Sequence, residues 1–223
     1  MRVFSTLSAV WLALGLFVPS AGLLAQEVSK ESPAKGMPPR AAPSEYQTQA
    51  TAGMVTIAAE FMGHAVPTPE QTVASDDYVV LDVGIYGPPG ARVMLSRGDF
   101  SLRINGKKMP VSSEPYELVF KSLKDPEWQP PVTEDSKSSK GGITTGGGGG
   151  GGDKLPPIPP KMPFPLRRAM EQHVQRAAMQ EGDRALPQAG LLFFAYRGKA
   201  EGIHSIELIY SGAAGNATLT LQP

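Results

Sequence analysis

Beyond residue 50 the chain alternates. Val55, Ile57, Ala59 and Phe61 share one side of an extended segment, while Thr56, Ala58 and Glu60 share the other. That two-residue period marks a strand with one apolar face. It returns at Val79, Leu81, Val83 and Ile85, opposed by Tyr78, Val80, Asp82 and Tyr86, and Pro88, Pro89 and Gly90 close the run with a turn. A third region holds Val93 and Leu95, then Phe100, Leu102 and Ile104; Gly98 and Asp99 interrupt its register, which predicts a bulge or a switch of sheet. Asn105 and Gly106 suit the two positive-φ positions of a type I′ hairpin turn, so 107–111 is expected to return as the next strand. Three further strands are expected at 191–197, 203–210 and 217–221. In the middle one Ile206, Leu208 and Tyr210 share a face; in the last, Ala217, Leu219 and Leu221 alternate with Thr218 and Thr220.

One segment has a helical period instead. Leu166, Ala169, Met170, His173, Val174, Ala177 and Ala178 form a single stripe, with Arg167, Arg168, Glu171, Gln172, Gln175 and Arg176 on the other side. Pro165 fits the first turn, where its missing N–H costs nothing, and Gly182 fits the stop, giving a helix over 165–182. Two stretches have no period. Residues 26–50 scatter Pro33, Pro38, Pro39 and Pro43 among Ser, Ala and Gln and read as a disordered tether. Residues 125–163 contain unbroken glycine at 146–152 and the pairs Pro130-Pro131, Pro156-Pro157 and Pro159-Pro160, which reads as a flexible insertion. Lys154 is followed by Leu155 and Pro156 rather than the Ser or Thr of a phosphate-binding loop.

Strands with one apolar face, separated by turns and with a single helix among them, predict a mainly β domain. The expected architecture is two antiparallel sheets over a shared core, spanning 51–223 and interrupted by the 125–163 insertion and the helix. Tyr78-Val79-Val80-Leu81-Asp82-Val83, then Asp99-Phe100-Ser101-Leu102-Arg103-Ile104-Asn105-Gly106-Lys107, resembles small secreted bacterial immunoglobulin-like domains of unknown function. Leu191-Leu192-Phe193-Phe194, Ile206-Glu207-Leu208-Ile209-Tyr210 and Ala217-Thr218-Leu219 continue the likeness. The resemblance implies an immunoglobulin-like β-sandwich and no catalytic residues; the insertion and the helix depart from the family's pattern.

The N-terminus carries an address. Arg2 precedes an apolar run at 9–18, with Pro19 and small residues after it, the layout of a secretory signal peptide over 1–25. Cleavage after Ala25 or nearer Ala21 is compatible with the sequence, and 3–25 is also long enough for an uncleaved membrane anchor. Either outcome places the remainder in the periplasm or outside the cell. Lys and Arg together number 21, as do Asp and Glu, which argues against a strongly basic nucleic-acid binder. The chain has no Cys, so disulfides, thiolate nucleophiles and Cys-ligated metals are excluded.

Candidate chemistry is sparse. Met62 with His64, and His204 as a third donor, match the thioether and imidazole preference of copper. His173 lies on the apolar stripe and is expected to pack. Asp76, Asp77, Asp82 and Glu207 are expected as exposed strand charges rather than a carboxylate pair. Neither Ser211-Gly212 nor Ser96-Arg97-Gly98 forms a nucleophile elbow. Trp128 in the Pro-rich stretch and the cations Arg167, Arg168 and Arg176 are the candidate interaction residues, since loops carry recognition more often than the scaffold does. The expected function is therefore an exported, non-enzymatic immunoglobulin-like module, without a cofactor, in contact with a protein or cell-envelope component. A periplasmic small-ligand or copper-binding protein and an unrecognised hydrolase are the alternatives.

Overall fold

β-Strands Thr48–Ala52 (β1) and Val55–Phe61 (β2) form the first hairpin of a mainly β, antiparallel structure. This computed structural model describes residues 36–128 and 162–223. The expected signal peptide at 1–25, residues 26–35 of the expected tether and the 129–161 portion of the expected insertion lie outside the described residues. Every described residue belongs to one compact unit, Pro33–Pro223. After the hairpin come Ala65–Pro67 (β3), Thr72–Ser75 (β4), Tyr78–Tyr86 (β5), Arg92–Leu95 (β6), Phe100–Ile104 (β7), Val111–Glu114 (β8), Tyr116–Val119 (α1) and Leu123–Lys124 (β9). The second half supplies Phe164–Ala177 (α2), Gly182–Ala185 (β10), Gln188–Ala195 (β11), Ile206–Gly212 (β12) and Gly215–Leu221 (β13). Among the described residues no helix is long and apolar enough to cross a membrane.

Eight strands make one sheet in the order β1-β2-β5-β11-β8-β7-β12-β13. The two-sheet sandwich expected from the sequence is thus replaced by a single curled sheet. Two arcs meet at β8, where Val111 and Ser112 pair with β7 while Ser113 and Glu114 pair with β11. The opposite edges, β1 and β13, pack side by side without a strand ladder, and Gln47 Nε2 donates to Gln222 O at 2.8 Å. The result is a nearly closed barrel, an arrangement that leaves little exposed strand edge. The two sequence halves do share an interior, because β11 pairs with β5 and β12 pairs with β7.

The alternation read from the sequence fills that interior. Ile57, Leu81, Val83, Ile85, Phe100, Leu102, Leu192, Phe194, Ile206, Leu208, Tyr210, Leu219 and Leu221 are all buried in one cluster. Burying each large side chain contributes roughly 1.5–3 kcal/mol. A second cluster lies outside the barrel: Val80, Leu191 and Phe193 face Met170, Val174 and Ala177 of α2, with Val66, Val73 and Val119 alongside. β5 and β11 are therefore covered on both faces. This explains the continuous apolar run at 79–81 and 191–194, which a strand with one wet face would not carry.

Several expected boundaries move. Helix α2 ends at Ala177, not at Gly182, because Ala178 bridges Leu191 and Met179 N–H donates to Leu191 O at 3.0 Å. The chain is captured there by the β11 edge that β8 leaves free. Gly98 and Asp99 do mark a sheet switch: β6 pairs with β10 in a separate two-stranded sheet, its Val93 and Leu95 joining the inner cluster, and a 3-10 turn capped reciprocally by Ser96 and Asp99 delivers β7 into the barrel. Asn105 and Gly106 have φ of 52° and 64°, and Lys107 N–H donates to Ile104 O at 3.2 Å. β8 begins only at Val111, four residues later than the hairpin reading placed it. Finally, 36–50 is ordered in place of a disordered tether: Met37 bridges Ala189, Tyr46 is 6% exposed, and β1 starts at Thr48.

Candidate functional site

Two adjoining depressions open where the outer β3-β4-β9 sheet approaches the ends of β5 and β11. One, of about 430 Å³, is lined by Asp77, Tyr78, Lys107, Tyr196 and Arg197. The other, of about 300 Å³, is lined by His64, Asp76, Arg197, Gly198 and Lys199. Arg197 and Gly198 belong to both, so the 196–199 loop is the wall they share.

Specific bonds hold that loop. Tyr196 N–H donates to Asp77 O at 2.8 Å, and Arg197 Nε lies 3.3 Å from Asp77 Oδ1. The Tyr196 ring tilts by 32° to the His64 imidazole at a centroid distance of 6.1 Å. A Cβ at position 198 would fall 2.6 Å from Tyr196 Cζ and Oη, so any residue other than glycine would have to displace the Tyr196 ring. His64 sits behind the wall. Its Nε2 lies 2.8 Å from Gly198 O, and its Nδ1 lies 2.8 Å from Ser75 O and 2.9 Å from Tyr78 O.

The cleft offers aromatic faces at Tyr78 and Tyr196 and cations at Lys107, Arg197 and Lys199. Asp76 is taken by Lys124 and Asp77 by Arg197. Among the described residues Lys107 and Lys199 have no carboxylate within ion-pair distance, which leaves the rim with excess positive charge. Acid–base chemistry is poorly served here. Both His64 nitrogens face backbone carbonyls, and the buried Ser75 hydroxyl donates to Ser122 Oγ at 2.8 Å, which donates in turn to Val119 O.

The residues singled out in the sequence are dispersed. Met62 packs against the outer apolar cluster, while His204 is exposed and its N–H donates to Asn105 Oδ1 at 2.7 Å. Among the described residues no three His, Asp or Glu side chains gather as a metal set. Trp128 is half-exposed, at the edge of the described residues. Arg167 and Arg168 are exposed on α2, the former with its Cζ 5.6 Å from the Phe164 ring centroid. Arg176 serves the scaffold: Nη2 lies 2.7 Å from Glu70 Oε1, and its carbonyl accepts Gly36 N–H at 2.7 Å. His173 is half-buried, with Nδ1 3.9 Å from Glu70 Oε2.

A second polar cluster corrects the reading of Asp82 as an exposed strand charge. Its side chain is 8% exposed on the outer face of the barrel, with Oδ2 2.9 Å from Arg40 Nη2. Arg40 also pairs with Glu60, and its Cζ lies 4.2 Å from the Tyr46 ring centroid. Burial raises the Asp82 carboxyl above the ordinary range although Arg40 opposes the shift; burial likewise pushes the Tyr46 hydroxyl well up. Arg40 is itself held up by its bonds to Glu60 and Asp82, which outweigh its own desolvation. Tyr86 Oη donates to Arg40 O at 2.9 Å, completing a clamp that fixes the 36–46 strap to the sheet.

No family model matches the chain, and no curated protein matches it. A structural likeness exists to ycdA, a candidate lipoprotein of Bacillus subtilis subsp. subtilis str. 168, at a TM-score of 0.37 and 13% identity. It covers 79% of this chain but 38% of that one, so this chain spans less than half the length of ycdA.

Proposed function

We propose that the protein is an exported, non-enzymatic binding module whose contact region is the cleft around the 196–199 loop. The carrying observation is the convergence there of Tyr78 and Tyr196 with Lys107, Arg197 and Lys199. Aromatic faces beside Lys107 and Lys199, which among the described residues have no carboxylate partner, suit an acidic segment of an extracytoplasmic protein partner, docked by charge complementarity and desolvated rings. Export is supported by the cationic start, apolar centre and small-residue exit of the first 25 residues. The absence of enzymatic activity is supported by the occupation of His64 and Ser75 in backbone and hydroxyl bonds. On this reading the immunoglobulin-like resemblance describes a mode of use, a rigid β scaffold presenting recognition at its strand ends.

Binding of a fluorescent polyglutamate peptide, followed by anisotropy, tests the proposal. The wild-type chain is expected to bind with an affinity that falls as salt rises. Lys107→Glu combined with Arg197→Glu is expected to weaken it at least about tenfold. Binding that is absent, or indifferent to those substitutions, removes the cleft as the contact region.

A further inference from the structure

His64 occupies a setting that a neutral imidazole cannot satisfy. Three carbonyl oxygens surround it, from Ser75 at the end of β4, Tyr78 at the start of β5 and Gly198 in the loop, at 2.8, 2.9 and 2.8 Å. A neutral ring carries one N–H; with two carbonyl oxygens at Nδ1 and one at Nε2, the neutral ring keeps its proton on Nδ1 and turns a lone pair toward Gly198 O. The doubly protonated ring donates on both sides, and such charge-assisted bonds are about twice as strong as neutral ones.

We propose that His64 is a proton-operated latch: doubly protonated, it ties the 196–199 loop to the barrel and builds the wall of the cleft, and loss of a proton releases the loop. The latch stands without the cleft being the contact region; only its effect on binding rests on that reading. Nε2 reaches across 134 residues of sequence to Gly198, so the bond at stake joins the loop directly to the barrel's first half. The charged and titratable groups around the ring are of both signs, so the three carbonyl oxygens are what favour the cation. Asp76 from the turn after β4 and Arg197 and Lys199 from the loop line the same depression, Tyr196 lies alongside, and Asp77 holds Arg197. Lys124 of β9 is engaged by Asp76. Because the cation is the form that completes the wall, the cleft is assembled at low pH and lost as pH rises. Histidine side chains change charge across about pH 5 to 8, which is the interval to scan.

The test uses the full chain with isotope-labelled histidine and backbone amides, followed by nuclear magnetic resonance between pH 5 and 8. The His64 nitrogens are expected to carry the imidazolium signature at the acid end. Amide signals of residues 196–199 are expected to move with the same midpoint as the ring. His64→Gln, which cannot donate from both sides of a ring, is expected to abolish the pH response of those amides, while His204→Gln leaves it intact. Should His64→Gln not fold, Gly198→Ala decides: its Cβ would strike Tyr196 and prop the loop, so the amides lose their pH response while His64 still titrates. A His64 ring neutral throughout, or loop amides that ignore its titration, overturns the latch. Polyglutamate binding is then compared at pH 6 and pH 8, where about tenfold tighter binding at pH 6 is expected, the ratio that one lost hydrogen bond produces. Loop titration without peptide binding keeps the latch and discards the proposed contact region; pH-independent binding without loop titration does the reverse.

Discussion

Arg40→Ala isolates the clamp that fixes the strap to the barrel. The substitution leaves the Asp82 carboxyl, 8% exposed, without the cation 2.9 Å away. Removing one partner of a fully buried pair costs about 3–5 kcal/mol. Here the Arg40 and Glu60 side chains keep 30% and 36% of their surface in water, so screening reduces the loss to roughly 2 kcal/mol. The pH dependence follows from the direction of the Asp82 shift. Burial raises its carboxyl in the folded state, so the folded chain holds that proton more tightly than the unfolded chain does. Its contribution to stability is then full below the unfolded pKa and is lost as pH rises through the folded one. Without Arg40 the folded carboxyl is raised further, so the deficit of Arg40→Ala is expected to widen from pH 4.5 to pH 7.5. Asp82→Asn removes the charge and should restore most of the loss in the double variant. Urea midpoints of the wild type, both single variants and the double variant at the two pH values measure this. An Arg40→Ala chain within about 0.5 kcal/mol of wild type at pH 7.5, or equally weakened at both pH values, refutes the reasoning.

Three other outcomes are expected. Gly84→Ala places a Cβ 2.7 Å from Tyr46 Oη, so thermal melting should show a loss of about 1–3 kcal/mol and near-ultraviolet dichroism a disturbed tyrosine environment. Asn105→Gly keeps the turn but removes the side-chain bonds to Gly202 O and His204 N–H, and should cost about 1–3 kcal/mol in urea unfolding; an unchanged midpoint would mean that the 202–205 segment is held by other contacts. Phe193→Ala and Phe194→Ala should each cost about 3–5 kcal/mol, because their rings fill the outer and inner clusters respectively; a cheap Phe193→Ala would argue against the outer layer.

Strand existence was legible wherever one face is dry and the other is wet. β12 and β13 alternate cleanly, and the structure buries Ile206, Leu208, Leu219 and Leu221 as the period requires. What periodicity does not encode is curvature. The same alternation serves two stacked sheets or one curled sheet, and the choice was made by β8, four residues long and divided between two neighbours. Short strands such as β3, β4 and β9 lack the length to show a period. The strap was misread because Pro-rich sequence normally buries little; Tyr46 and Arg40 anchor it through contacts with Asp82 and Gly84, which lie far along the chain. One signal was available: a lone carboxylate at Asp82 within the buried run of β5 requires a cation, and Arg40 supplies it. Of the cleft, His64 was singled out as a candidate donor, and Asp76 and Asp77 only as exposed strand charges. Tyr196, Arg197 and Lys199 follow β11 directly, yet nothing local ties them to residues 64–78.

The double coverage of β5 constrains how the molecule can be made. Its partner on one side, β2, is synthesised just before it, whereas β11, which sets Val80 opposite Phe193, is separated from β5 by the whole of residues 87–187 and leaves the ribosome long after it. Until then the segment around Val79, Val80 and Leu81 is an oily ribbon with an unsatisfied border, and the nascent chain must be kept from associating through it. Long-range pairing of this kind is slow and exposed to aggregation. Yield in a recombinant host should therefore depend more on holding the nascent chain open than on the stability of the finished barrel.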